Sequence, residues 1–253
     1  MGNQYQKPED MPVEELAEFI IDQLHRVIVH HTLWFREVEH QFGFEKALAA
    51  MKTAYPQAKK MQMKRLGKTL GFEEENGVPK ALLNMPKEKL LELSTAIANN
   101  WIGVDGIWFQ AVEFVHGMND AKRCNDSCWT RFSPFEAWSI KEFLVLPEYP
   151  GLKGLEQALN FRMYGRVNVQ STIWEDENTL LFQMNDCRVQ AARIRKGLPD
   201  YPCKTAGLVE YARFAEGIDK RIKTECVGCP PDPHPDDWFC AWRFTIPEAS
   251  NIK

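Results

Sequence analysis

Between residues 203 and 240 the chain places four of its seven cysteines: Cys203, the C-x-x-C pair Cys226 and Cys229, and Cys240. A C-x-x-C spacing lets two thiolates grip one metal from a tight turn. Four thiolates satisfy the tetrahedral preference of Zn²⁺ and leave no open coordination position, so a structural zinc is expected on Cys203, Cys226, Cys229 and Cys240. An iron–sulfur cluster takes the same ligands and is the alternative cofactor; buried or redox-paired free thiols are the alternative without metal. Such a clasp constrains the fold, because the segments that carry the four residues must return to one point.

The 253 residues suffice for one large domain or two small ones. A formal charge of −4 offers no basic field for phosphates, which argues against nucleic acid as a partner. No run of about 18 apolar residues occurs, so no membrane partner or span is expected. The first residues, Met1-Gly2-Asn3-Gln4-Tyr5-Gln6-Lys7-Pro8, are polar and lack a signal-peptide core, and Gln6 stands where a myristoylation signal has Ser or Thr. The expected location is therefore cytoplasmic, where seven cysteines read as ligands or reactive thiols rather than disulfides.

Residues 1–150 read as a helical region. After a disordered leader, a helix over 12–42 carries Leu16, Ile20, Leu24, Val27, His31, Trp34, Val38 and Phe42 as one apolar stripe, ended by Gly43. His31 is then a core histidine. A second helix over 44–70 is expected to kink or divide at Pro56, and Gly71 to Pro86 is a linker. The helix over 87–117 is apolar nearly all round from Trp101 to His116, the character of a central bundle helix. Two shorter helices, 119–131 and 134–146, split at Ser133-Pro134. No internal repeat or low-complexity segment is expected.

Residues 151–253 read as an α/β domain: a helix over 152–164, strands 167–174 and 179–184 around a Glu175–Asn178 turn, a helix over 204–216, and strands 221–225 and 239–246. Cys187 to Ile194 extends the second strand or adds another, with alternating Arg193 and Arg195 on one face. The fold class is α+β, an N-terminal helical bundle packed on a C-terminal α-β-β-α-β-β domain.

Two resemblances follow from these residues. Cys187-Arg188-Val189-Gln190, Lys196-Gly197-Leu198, Pro202-Cys203-Lys204 and Cys229-Pro230-Pro231-Asp232, with Trp101 to Trp108, resemble an uncharacterised prokaryotic family of unknown function. The pattern of a Cys before a helix, a strand ending at a ligand pair and a last Cys entering a strand is similar to the zinc-binding 4-vinyl reductase-type domain. The C-terminal half also resembles that of amino-thiazoline carboxylic acid hydrolases. The likeness implies a zinc on Cys203, Cys226, Cys229 and Cys240; Cys226 stands where the pattern has Glu, and the loop before Cys240 is enlarged.

At 100° per residue Asp105, Glu113 and His116 fall within about 80° of one another on their helix, with Phe109 in the same stripe. Carboxylates on so apolar a helix are costly unless paired or functional. Arg162, Arg188 or Arg193 is the structural alternative that neutralises them. The expected function is binding of a small hydrophobic or aromatic molecule by Trp101, Asp105, Trp108, Phe109 and Arg193. The alternative is a hydrolase using Asp105, Glu113 or His116 as acid or base. The expected partners are that small molecule and a second copy of the chain as a homodimer. Glu37-x-x-His40 and Glu113-x-x-His116 share a di-metal ligand pattern, but His40 points away from the apolar stripe, which argues against it. Cys124, Cys128 and Cys187 lack an activating neighbour for nucleophilic chemistry.

Overall fold

A computed structural model describes residues 5–247 apart from 196, 198 and 199. Met1–Gln4 of the expected leader and Lys196 of the basic run therefore lie outside the described residues. By compactness the chain divides into Met1–Asn84 and Met85–Lys253. The expected division near residue 150 thus moves upstream, because the helices after 85 share the second unit with the sheet.

The first unit is a helical hairpin, α1 (Val13–Phe42) and α2 (Phe44–Leu70), followed by a two-residue β-hairpin, β1 (Glu74–Glu75) and β2 (Val78–Pro79), and the short helix α3 (Lys80–Leu83). Gly43 joins α1 to α2 at φ +88°, where a side chain would be strained. Pro56 does not divide α2; it costs the helical donor to the Lys52 carbonyl and the helix continues past it. No residue of α1 is buried, and His31 is exposed rather than in a core.

The second unit opens with α4 (Lys87–His116) and α5 (Met118–Leu144), again joined by one glycine at φ +88°, Gly117. The two helices expected on either side of Pro134 are one. In α4 only Ala98 and Ile102 are buried, so it is not the central helix its composition predicts. Its apolar residues divide between two faces, and Ile107, Trp108, Phe114 and Val115 are exposed.

Next come α6 (Gly151–Phe161), the hairpin β3 (Val169–Asp176) and β4 (Thr179–Asp186), α7 (Arg188–Arg195), α8 (Lys204–Ile218), β5 (Lys223–Gly228) and β6 (Cys240–Thr245). The four strands form one antiparallel sheet in the order β3-β4-β6-β5. The strand expected over 187–194 is the helix α7. Ala191, Ala192, Gln190 and three arginines favour that state over a strand, and the Asn168 side chain accepts from the Arg188 N–H at 2.9 Å to start it.

The core lies between the sheet and α5, α6 and α8. Leu180, Phe182 and Met184 of β4 alternate inward and pair across the ladder with Phe244, Trp242 and Cys240 of β6. Each buried aromatic or aliphatic side chain here contributes about 1.5–3 kcal/mol. Helix α8 fits between sheet and α5 because it is small where it touches them. A Cβ at Gly207 would meet the Trp242 ring at 2.5 Å, and one at Gly217 would meet the Ala137 Cβ at 2.8 Å.

A thiol-lined cavity in the second unit

Between α4, α7 and α8 and the β4–β6 ends lies an open-mouthed cavity of about 370 Å³. Helix α4 gives it one face, Ile102, Gly103, Asp105, Gly106, Phe109 and Glu113, at the three- and four-residue spacing of a single helical stripe. The opposite wall carries Cys187, Cys203, Cys229 and Cys240. The acidic stripe and the cysteine stretch, separate in the sequence, are two sides of one space.

The thiols are grouped. Cys229 stands in hydrogen-bonding contact with both Cys203 and Cys240. The Cys229 contact holds the Cys203 thiol below its usual range, and the Gln190 side chain adds to this by donating to its sulfur at 3.1 Å. Cys229, as donor in this contact, is pushed up, and burial pushes Cys187 up to about 12. Cys226 lies off the cavity wall, opposite Trp242 on β5, and burial raises its thiol. No group of three or more His, Cys, Asp or Glu side chains among the described residues stands in metal-holding geometry. His234 does not join the thiols; its Nε2 meets Asp200 Oδ2 at 3.1 Å. Cys124 and Cys128 are exposed on α5.

Gln190, fully buried, is the residue that shapes this wall. It accepts from the Tyr201 N–H at 2.8 Å and donates to the Tyr201 carbonyl at 2.9 Å, fixing the approach to Cys203. The Lys204 N–H then donates to the Pro230 carbonyl at 2.9 Å and ties the C-x-x-C loop to the start of α8. Tyr201 meets Phe109 edge to face at 5.4 Å, and Tyr211 stacks on Trp242 at 4.8 Å.

Of the residues expected to bind ligand, Asp105, Phe109 and Arg193 line the cavity. Trp101 sits behind the lining, against Trp129, Phe132 and Tyr164, and Trp108 is exposed on another face of α4. Of the acid–base candidates Asp105 and Glu113 line the cavity, and burial raises the Asp105 carboxyl above its usual range. His116 is exposed and off the lining. Glu37 and His40 pair with each other at 3.8 Å on the surface of α1.

Arg162 does not neutralise Asp105 or Glu113. It is 2% exposed and clamps Glu136 at 2.8 Å and Glu210 at 2.8 Å. The second approach is out of line for a hydrogen bond, so Glu210 Oε1 lacks a hydrogen-bond partner. Burial raises Glu210 to about 7 despite Arg162. Two further cavity residues have buried polar atoms without partners, Trp242 Nε1 and the Tyr201 hydroxyl.

Fold and site together define an α+β protein of helical hairpins and a four-stranded antiparallel sheet around a thiol-lined cavity. The chain belongs to a family of unknown function, DUF6125, whose model matches residues 9–85 and 83–246. No curated protein and no solved structure matches it. Among the described residues no helix is long and apolar enough to cross a membrane.

Proposed function

We propose that the second unit binds a small molecule with an aromatic or apolar body in this cavity, beside a zinc ion held by its thiols. The observation that carries the reading is a pair of glycines. Gly103 and Gly106 lie in the interior of α4, where each costs about 1 kcal/mol relative to Ala. Neither is required by packing, since a Cβ on either would meet nothing within 4 Å. Both line the cavity, so their absent side chains leave space for a ligand. Phe109 and the Tyr211–Trp242 stack offer ring faces, and the unpartnered Trp242 N–H favours a ligand that carries a hydrogen-bond acceptor. The order helix, two strands, helix, two strands formed by α6, β3, β4, α8, β5 and β6, with α7 as an addition before α8, supports the likeness to 4-vinyl reductase-type domains.

For the metal, Cys229 touches both Cys203 and Cys240, and three thiols are a donor type suited to zinc. The fourth falls to Cys226, which the resemblance implies, or to Cys187, which shares the wall. Zinc bound there would neutralise the thiolates and brace the α8 start against the β6 start. Elemental analysis should find about one zinc per chain, lost in Cys229→Ser; Cys226→Ser and Cys187→Ser identify the fourth ligand. Unchanged zinc in Cys229→Ser overturns the assignment, and an absorption band in the visible region would indicate iron–sulfur instead.

Ligand binding is tested by native mass spectrometry of protein purified from cell extract. Gly106→Phe meets no clash at its Cβ, places a ring at the cavity wall, and should abolish a retained organic mass while leaving helicity unchanged and melting unchanged or slightly raised. Retention of the mass in that variant excludes the cavity. Asp105, raised by burial and placed on the wall, favours a second reading as a general acid or base of a hydrolase. That reading requires substrate turnover that disappears in Asp105→Asn.

A further inference from the structure

Helix α4 brings two carboxylates to the cavity from one stripe, Asp105 and Glu113, with the Phe109 ring about one turn from each. Asp105 is half-buried and makes no hydrogen bond or ion pair with a described residue, and burial alone raises its carboxyl. The glycines at 103 and 106 flank it without covering it, since nothing lies within 4 Å of either absent Cβ. A carboxylate held unpaired on so apolar a helix costs stability unless a cation meets it.

The rest of the lining adds negative charge rather than cancelling it. Glu210, a lining residue 6% exposed, has an Oε1 without a hydrogen-bond partner. Burial first, then the charges of Glu136 and Asp105, raise its carboxyl against the pull of Arg162. Opposite, three or four thiolates on one zinc ion, as proposed above, leave that wall with a net negative charge. The arginines of the lining come from α7: Arg188 is exposed, and the Arg193 guanidinium lies 6.0 Å from the Tyr201 ring centroid. The rings suit a positive occupant. Phe109, Tyr201, Tyr211 and Trp242 line the cavity, and an ammonium within about 6 Å of a ring centroid is attracted to its face. The neighbouring core holds a cation in this way: the Arg162 guanidinium lies 5.1, 5.5 and 4.6 Å from the Tyr164, Tyr211 and Phe214 centroids.

We propose, on the reading that this cavity is the binding site, that its ligand is an organic cation: a protonated amine on an aromatic or apolar body, with the ammonium on the Asp105 carboxylate and the body among the rings. A protonated amine donates charge-assisted hydrogen bonds that Asp105 accepts, which a quaternary ammonium does not. An acceptor elsewhere on the molecule serves the unpartnered Trp242 N–H. An anionic ligand of the same shape would meet like charge on both walls.

Titration calorimetry of the full chain near neutral pH with phenethylamine, phenethyl alcohol and phenylacetate compares one ring and chain length in three charge states. The amine should bind about 10- to 100-fold more tightly than the alcohol, the range of a hydrogen bond to a charged group. Asp105→Asn should remove that preference while leaving alcohol binding unchanged, a split that a merely structural role for Asp105 would not produce. Gly106→Phe should abolish binding of both. Equal binding of amine and alcohol, tighter binding of phenylacetate, or an amine preference that survives in Asp105→Asn overturns the cation assignment and leaves the cavity as the binding site. Binding of none of the three at millimolar concentration, or binding that Gly106→Phe leaves intact, overturns the cavity reading and the assignment with it.

Discussion

Glu210 makes the strongest quantitative prediction. It is 6% exposed and shares the single cation Arg162 with Glu136, so burial outweighs attraction and its carboxyl rises to about 7. The ordinary value is 4.5. Between those limits the folded chain keeps a proton that the unfolded chain has lost. Its contribution to stability is therefore complete below the unfolded value, falls as pH rises through the folded value and is level above it. At about 1.4 kcal/mol per unit the window amounts to about 3 kcal/mol. Glutamine mimics the protonated acid, so Glu210→Gln should match the parent at pH 4.5 and exceed it by about 3 kcal/mol at pH 8. Guanidinium unfolding of both proteins across that range reads the difference directly, and other titrating groups cancel. If Glu210→Gln is less stable than the parent at pH 8, the Arg162 attraction outweighs burial and the reasoning fails.

Three further perturbations probe the supports of the cavity. Gly207→Ala drives a Cβ into the Trp242 ring and should cost about 2 kcal/mol in urea unfolding, with a shift in tryptophan emission. Asp219 is buried and accepts from the Gly151 N–H at 2.9 Å and from Arg221 Nη2 at 2.7 Å. Burial opposes its charge, but the Arg221 and Gly151 hydrogen bonds outweigh it and hold its carboxyl below the usual range. Its contribution is therefore present above the ordinary value and lost as pH falls below it, and Asp219→Ala should cost about 2–3 kcal/mol at neutral pH and progressively less in acid, measured by thermal melting. Gln190→Leu leaves the Tyr201 N–H unpaired and should cost about 1–2 kcal/mol, and because it removes a donor to the Cys203 sulfur it should lower the reactivity of Cys203 towards a thiol reagent, read by labelling and peptide mass.

Local patterns carried most of the fold. Gly43 and the three-and-four spacing from Leu16 to Phe42 set α1, and alternation from Val169 to Ile173 set β3. Cysteine spacing grouped Cys203, Cys226, Cys229 and Cys240, whereas the cavity wall carries Cys187 and not Cys226. What escaped was set by long-range partners. Arg162 is marked by no local pattern, since its carboxylates come from α5 and α8. Trp108 and Phe109 are adjacent and both aromatic, yet only Phe109 faces the cavity, because composition does not say which side of an apolar helix is covered. The run from Arg188 to Arg195 alternates like a strand but has too few β-branched residues to hold one.

Val13–Phe42 and Lys87–His116 have the same length and each ends at a glycine of φ +88°, Gly43 and Gly117, so laying one over the other without a gap gives a comparison within one chain. Phe109 and Glu113 of the cavity face fall on Phe35 and Glu39, unchanged in type, so these residues alone do not mark the cavity copy. Among the positions that differ, Gly103 falls on Val29, Asp105 on His31 and Gly106 on Thr32. A helix gains roughly 0.3–0.5 kcal/mol for each glycine replaced by Val or Thr, and α1 has these residues at the two positions. The copy that lines the cavity has given up that stability twice within one turn and has a half-buried carboxyl between the two glycines. Packing does not require the change, since nothing lies within 4 Å of either missing Cβ. Restoring Val and Thr at 103 and 106 should stabilise α4 by about 1 kcal/mol and, at the same time, reduce the ligand mass retained in native spectra. Stabilisation without loss of ligand would show that the glycines do not serve the cavity.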